Sequence, residues 1–105
     1  MGVNLSNATV TNNERAERFE MLVDGLRAIL TYRRFSDLIV FLHAEVPRSL
    51  EGQGLAGKLT SFALDFARAN HLRVVPRCPY VSNFIRKHSE YQDLVSPEDL
   101  QKLPR

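Results

Sequence analysis

The stretch from Leu38 to Asn70 constrains the fold more than any other part of the chain. An apolar run, Leu38-Ile39-Val40-Phe41-Leu42, continues through His43-Ala44-Glu45-Val46 and stops at Pro47. Three glycines follow, Gly52, Gly54 and Gly57, and apolar residues then recur at Leu55, Leu59, Phe62, Ala63, Phe66 and Ala67. The first pattern is that of a strand covered on both faces, and the second is that of a helix of about 16 residues with one buried stripe. The helix ends near Asn70, which tolerates a left-handed cap. Leu72-Arg73-Val74-Val75 reads as the next strand, and the order strand, helix, strand implies parallel pairing through a right-handed crossover.

On either side of this unit the signals are shorter. Arg15 to Val23 reads as a strand carrying Phe19, Met21 and Val23, and Asp24-Gly25 is a strong two-residue hairpin signal. A second strand, Leu26 to Phe35, then returns antiparallel with Leu26, Ala28, Leu30 and Tyr32 on one face and Arg27, Thr31 and Arg33 on the other. Ser36-Asp37 is the next turn. Downstream, Pro79 opens a short helix holding Val81, Phe84 and Ile85, and Ser96-Pro97-Glu98-Asp99 caps a last one. Met1 to Asn13 is rich in Asn, Thr and Ser and reads as a mobile arm or a weak first strand, which leaves residues 14–105 as a single domain. The expected class is α/β in the α+β sense, a mixed sheet in which antiparallel hairpin strands precede a strand, loop, helix, strand and helix core.

A chain of 105 residues, 44% of them hydrophobic, is long enough for one core and too short for a separate substrate domain. The net charge of +2 gives a weak field, and no interleaving of aromatic and basic residues points to nucleic acid. One cysteine, Cys78, excludes an internal disulfide and fits a reducing compartment. With neither an apolar run long enough to span a bilayer nor a secretory signal pattern, the expectation is a cytoplasmic protein without a membrane partner.

The two prolines and the glycines define where a ligand would sit. Pro47 and Pro76 lack the N–H that a ladder needs, so sheet neighbours that end in them part there. A gap at the carboxyl ends of parallel strands, beside a helix N-terminus, is where open α/β sheets bind ligands. Glycines at the turn let the backbone approach closely, and the first helical N–H groups have no intrahelical acceptor. A phosphorylated cofactor is the chemistry this favours.

The order of elements and the loop Glu51-Gly52-Gln53-Gly54-Leu55-Ala56 resemble the GNAT superfamily of N-acetyltransferases, whose pyrophosphate loop follows Q/R-x-x-G-x-G/A. From His43 to Val95 the chain is similar to compact single-domain GNAT-like enzymes of the YjdJ type. The shared features are Val46-Pro47 before the loop, an Ala-rich helix from Ala63 to Ala69, the Val74 to Val81 segment, and His88-Ser89-Glu90-Tyr91. The first loop position departs from the pattern, because Glu51 replaces Gln or Arg and a carboxylate beside a pyrophosphate is unfavourable.

The resemblance implies acetyl-CoA as cofactor and transfer of its acetyl group to a primary amine, on a small molecule or on a protein lysine or amino terminus. Cofactor contacts fall to Val46, Gln53, Gly54, Leu55, Ala56, Gly57 and Lys58, and on the second helix to Asn83, Phe84 and Lys87. Arg48 and Lys58 flank the loop as phosphate ligands or as ordinary surface charges. His43, with Glu45 on the same side of its strand, reads as a general base or as a core histidine. Cys78 either carries the acyl group or protonates the leaving thiolate, or is an inert buried thiol. Tyr80 and Tyr91 are the phenols available as general acid, at least one of them being expected in the core. No metal is implied. Two other functions fit the same residues. One is a non-catalytic acyl-CoA-binding module, which Glu51 favours, and the other is an adaptor using Arg33, Arg34, Arg48, Arg86 and Lys87.

Overall fold

Asp24 and Gly25 both adopt positive φ, 51° and 76°, as a two-residue turn with the twist of its flanking strands requires. In the computed structural model, which describes residues 9–103, this turn joins β2 (Arg18–Val23) to β3 (Leu26–Arg34). Its register runs from Val23 opposite Leu26 to Arg18 opposite Thr31. β1 (Val10–Asn13) pairs antiparallel with β2, so the end of the segment read as an arm or weak strand is a sheet edge, while residues 1–8 lie outside the described part. β4 (Leu38–Glu45) pairs antiparallel with β3 and β5 (Arg73–Pro76) pairs parallel with β4, giving the sheet order β1-β2-β3-β4-β5. The mixed sheet expected from the sequence is present. β2 starts at Arg18 rather than Arg15, because residues 14–17 form a turn in which Glu17 is left-handed (φ 53°).

Three helices complete the fold: α1 (Leu55–Ala69), α2 (Pro79–Lys87) and α3 (Pro97–Gln101). Ser96 caps α3 by accepting from the Asp99 N–H at 3.2 Å, as the sequence leads one to expect. Leu55, Leu59, Ala63 and Ala67 of α1 and Val81 and Ile85 of α2 are buried in one core with Phe19, Met21, Ala28, Leu30, Tyr32, Ile39, Phe41 and Val74. Phe19 is the hub of an aromatic cluster, with ring centroids 5.1 Å from Tyr32, 5.5 Å from Phe66 and 5.8 Å from Phe62.

The core lies on one face of the sheet only. The reading of Leu38 to Leu42 as covered on both faces is therefore corrected, since Ile39 and Phe41 are buried while Leu38 and Val40 are half-buried and Leu42 is exposed. A register shift between Thr31 and Tyr32 leaves Leu42 as the extra residue of a bulge, and strict alternation breaks there. Leu26, beside the hairpin turn, and Phe62, at the edge of the α1 stripe, are also exposed, both having been assigned to the buried face. The left-handed residue after α1 is His71 (φ 56°) rather than Asn70. The His71 N–H donates to Arg68 O at 3.2 Å and the Leu72 N–H to Ala67 O at 2.8 Å, the paired bonds of a Schellman cap one residue later than expected.

Candidate functional site

The first turn of α1 is built to leave its amides open. Gly54 is the N-cap with φ 79°, no side chain caps the helix, and the first turn holds no acidic residue. The Lys58 N–H donates to Gly54 O at 3.1 Å, so the N–H groups of Leu55, Ala56 and Gly57 precede the first intrahelical bond. Gly52 is also left-handed (φ 80°), and a Cβ on Gly52 or Gly54 would meet nothing within 4 Å. The loop thus faces open space at the positive end of a helix dipole, which suits a pyrophosphate. Leu50, buried in the core, anchors the 3-10 turn Arg48–Leu50 that carries the chain into it.

Beside this loop the parallel strands part. Pairing of β4 with β5 ends at Phe41 opposite Pro76, four residues before β4 ends at Glu45. Pro76 is the last paired residue of β5, as its missing N–H leads one to expect, whereas Pro47 lies beyond the end of β4. The Cys78 N–H takes the Phe41 carbonyl at 2.9 Å, and from Leu42 onward no strand among the described residues lies beside β4 on that edge. Ser82 Oγ closes the turn by donating to Pro76 O at 2.7 Å.

Tyr80, at the start of α2, bridges the two helices. An ideal Cβ on Gly57 would stand 3.4 Å from Tyr80 Oη and 3.8 Å from Phe84, so the phenol rests on the first turn of α1. Burial raises the Tyr80 pKa, which keeps the phenol protonated at neutral pH. Phe84 continues the same wall, with its ring 6.3 Å from Tyr80 and stacked on His88 at 3.9 Å. Tyr91, half-buried, donates to Asp65 at 3.0 Å. Asn83 and Lys87 are exposed on α2. Cys78 is 2% exposed, its side chain part of the core at the N-cap of α2.

His43 and Glu45 lie on the open face of the sheet, opposite Thr31 and Ile29, with His43 Nε2 3.9 Å from Glu45 Oε2 and both side chains exposed. His43 is therefore not a core histidine. A trough of about 480 Å³ runs over this face, lined by Glu45, Val46, Arg48 and Glu51 and by Arg18, Arg27 and Ile29 of the hairpin. Glu51 thus lines a concavity on the sheet's open side, together with Arg48. A larger concavity, about 520 Å³, lies at the other end of α1 around the bidentate Arg68–Asp93 pair (2.8 and 2.9 Å). It includes neither the α1 N-terminus nor the parted strands.

The sequence alone does not reveal the Tyr80–Gly57 contact or the hairpin's share of the trough. The two-residue turn does fix Arg18, Glu20 and Arg27 on the open face, so their clustering was available from the register.

Comparison with known proteins shows the family. The family model for GCN5-related N-acetyl-transferase matches residues 18–94, which spans everything from β2 to the turn after α2. The chain belongs to that family of acetyltransferases. It is also similar to Protein NATD1 of Bos taurus, 32% identical over 93 residues (84% of this chain and 82% of the relative), and of Homo sapiens, 30% identical over the same length and shares. No helix among the described residues is long and apolar enough to cross a membrane.

Proposed function

We propose that this chain transfers the acetyl group of acetyl-CoA to a primary amine. The observation that carries this reading is the uncapped N-terminus of α1 opening beside the unpaired edge of β4. Gly54, Leu55, Ala56 and Gly57 would hold the pyrophosphate through their amides, with Gln53 and Lys58 at its margins. Val46 and the edge of β4 would flank the pantetheine arm, and Asn83, Phe84 and Lys87 would meet it from α2.

Acetyl-CoA supplies a thioester whose carbonyl carbon takes the amine nitrogen as the C–S bond breaks and CoA leaves as thiolate. The chain must take a proton from the incoming ammonium and return one to sulfur. Glu45 and His43, exposed, 3.9 Å apart and on the open face, would take the first task. Tyr80, whose phenol rests on the first turn of α1 and stays protonated, would take the second. We assign this step to Tyr80 rather than Cys78, whose thiol lies in the core, so that transfer is direct and needs no acyl-cysteine.

The test is the thermal midpoint with acetyl-CoA, CoA and ATP, followed by release of free CoA in the presence of amines. A ligand at one hundred times its dissociation constant adds about 2.7 kcal/mol of stability. A rise with both CoA species and little with ATP, then CoA release that depends on an amine, is expected. Binding without release for any amine would favour the acyl-CoA-binding module, and no rise at millimolar ligand would overturn both readings.

A further inference from the structure

From the trough on the open face of the sheet we infer the chemical class of the acceptor: a small amine that also carries a carboxylate, bound with its ammonium at Glu45 and its carboxylate at Arg27 and Arg48. This rests on the acetyl-transfer reading and adds to it a substrate specificity.

The strand register arranges the charges. Arg18, Thr31 and His43 stand in one row across β2, β3 and β4, and Glu20, Ile29 and Glu45 stand in the next. Glu20 is already occupied, bonded by Arg18 and by Asn13 at 3.2 Å, with Arg27 Nε at 3.8 Å. Glu45, across Ile29, meets no guanidinium among the described residues and has only His43 beside it. It is the carboxylate left open for a cation, and it adjoins the histidine that would take the proton. Three arginines against two carboxylates line the trough. Arg27 meets Glu20 through Nε alone, which leaves the forked end of its guanidinium available, and Arg48 makes no ion pair among the described residues. A polyamine would bring further cations against Arg27 and Arg48, whereas a zwitterion satisfies both ends. A guanidinium fork matches the two oxygens of a carboxylate, and about 480 Å³ holds a molecule of amino-acid size.

In the transfer step the acceptor ammonium gives one proton to the Glu45–His43 pair, and its nitrogen forms the C–N bond. The thioester C–S bond breaks and sulfur leaves as thiolate, which takes a proton from Tyr80, and the second proton that the nitrogen sheds as the amide forms returns to the Tyr80 phenolate through solvent.

The experiment compares CoA release with amino carboxylates, their amides, spermidine, an aminoalkyl phosphate and a lysine-containing peptide, on the wild type, Arg48→Gln, Glu45→Gln and, as a control on the open face outside the trough, Arg33→Gln. The amino carboxylates should be used at least about tenfold more efficiently than the others, a difference of about 1.4 kcal/mol. Arg48→Gln should raise KM for the amino carboxylate about tenfold while leaving KM for acetyl-CoA and for the amide unchanged. Equal or better use of any other amine overturns the proposal, as does an Arg48→Gln effect that falls on acetyl-CoA. If no amine is turned over, amide shifts are followed as amino carboxylates are added to the CoA-bound protein. Shifts at Ile29, Glu45 and Arg48 support the site, and none overturns it, while shifts on adding CoA in the same sample report separately on the cofactor reading.

Discussion

Gly57 and Tyr80 touch across the two helices of the candidate site, a Cβ on the glycine standing 3.4 Å from the phenol oxygen. The residue at 57 therefore sets the position of the phenol as well as the shape of the loop. Alanine fits this space at ordinary contact distance and removes the entropy cost of a glycine in a helix, so Gly57→Ala should raise stability by about 0.5–1 kcal/mol. Gly57→Leu places branched carbons where Oη stands. It should displace Tyr80 and lower the rate of transfer, which paired melting and turnover measurements would reveal.

Gly54 presents the opposite case. Its Cβ position is open, but its φ of 79° is one that L residues adopt at a cost of about 1–2 kcal/mol. Gly54→Ala should destabilise by about that amount in denaturant unfolding and weaken acetyl-CoA binding, because the N-cap sets the direction of the first amides. Unchanged stability and affinity would show that the loop does not depend on the left-handed N-cap.

Tyr80→Phe removes a hydroxyl with no hydrogen-bond partner among the described residues. Folding and acetyl-CoA binding should persist while the transfer rate falls, general acids contributing about 10²–10⁴-fold. Cys78→Ala should do the reverse, lowering stability by about 1–2 kcal/mol through loss of a buried side chain and leaving transfer in place. Loss of transfer in a folded Cys78→Ala protein would move the proton donation, or an acyl intermediate, to the thiol.

Stability should fall at both ends of the pH scale for identifiable reasons. Burial raises the pKa of Tyr32 and Tyr80, and in Tyr91 burial and Asp65 together outweigh the lowering hydrogen bond with Ser61. Above pH 10 the folded tyrosines then hold more protons than the unfolded ones, so their contribution to stability is constant below that value and falls as pH rises through the folded pKa values. On the acid side burial alone would raise Glu20, but hydrogen bonds from Arg18 and Asn13 and the charges of Arg18 and Arg27 hold it below its ordinary value of 4.5. Its contribution is present above pH 4.5 and lost as pH falls through the folded value. Urea midpoints across both ranges check this, and Glu20→Gln should flatten the acid limb.

What the sequence revealed and what it hid follow from the range of the forces involved. The hairpin turn, the α1 stripe and the caps of α2 and α3 are set by neighbours a few residues apart, and Asp24-Gly25, Pro79 and Ser96 announced them. The one-sided sheet was hidden because Leu38 to Leu42 is apolar throughout, and a local run cannot show whether a second layer exists to cover it. The bulge at Leu42 shifts the register between β3 and β4 without a glycine or proline to mark it, so the pairing of His43 and Glu45 with the hairpin was not legible. The glycine loop was visible in Gly52, Gly54 and Gly57. The contact of Tyr80 with Gly57 depends on how two helices pack, which no spacing encodes.

In the proposed reaction the open amides of the α1 N-terminus hold the phosphates of CoA. The direct measurement is a titration of isotope-labelled protein with acetyl-CoA, following backbone amide resonances. The largest shifts are expected at Gly54, Leu55, Ala56 and Gly57, with smaller ones along Leu42 to Val46 and on α2. Saturating acetyl-CoA that leaves the first turn of α1 unmoved, or that moves only the Arg68–Asp93 concavity, would contradict it.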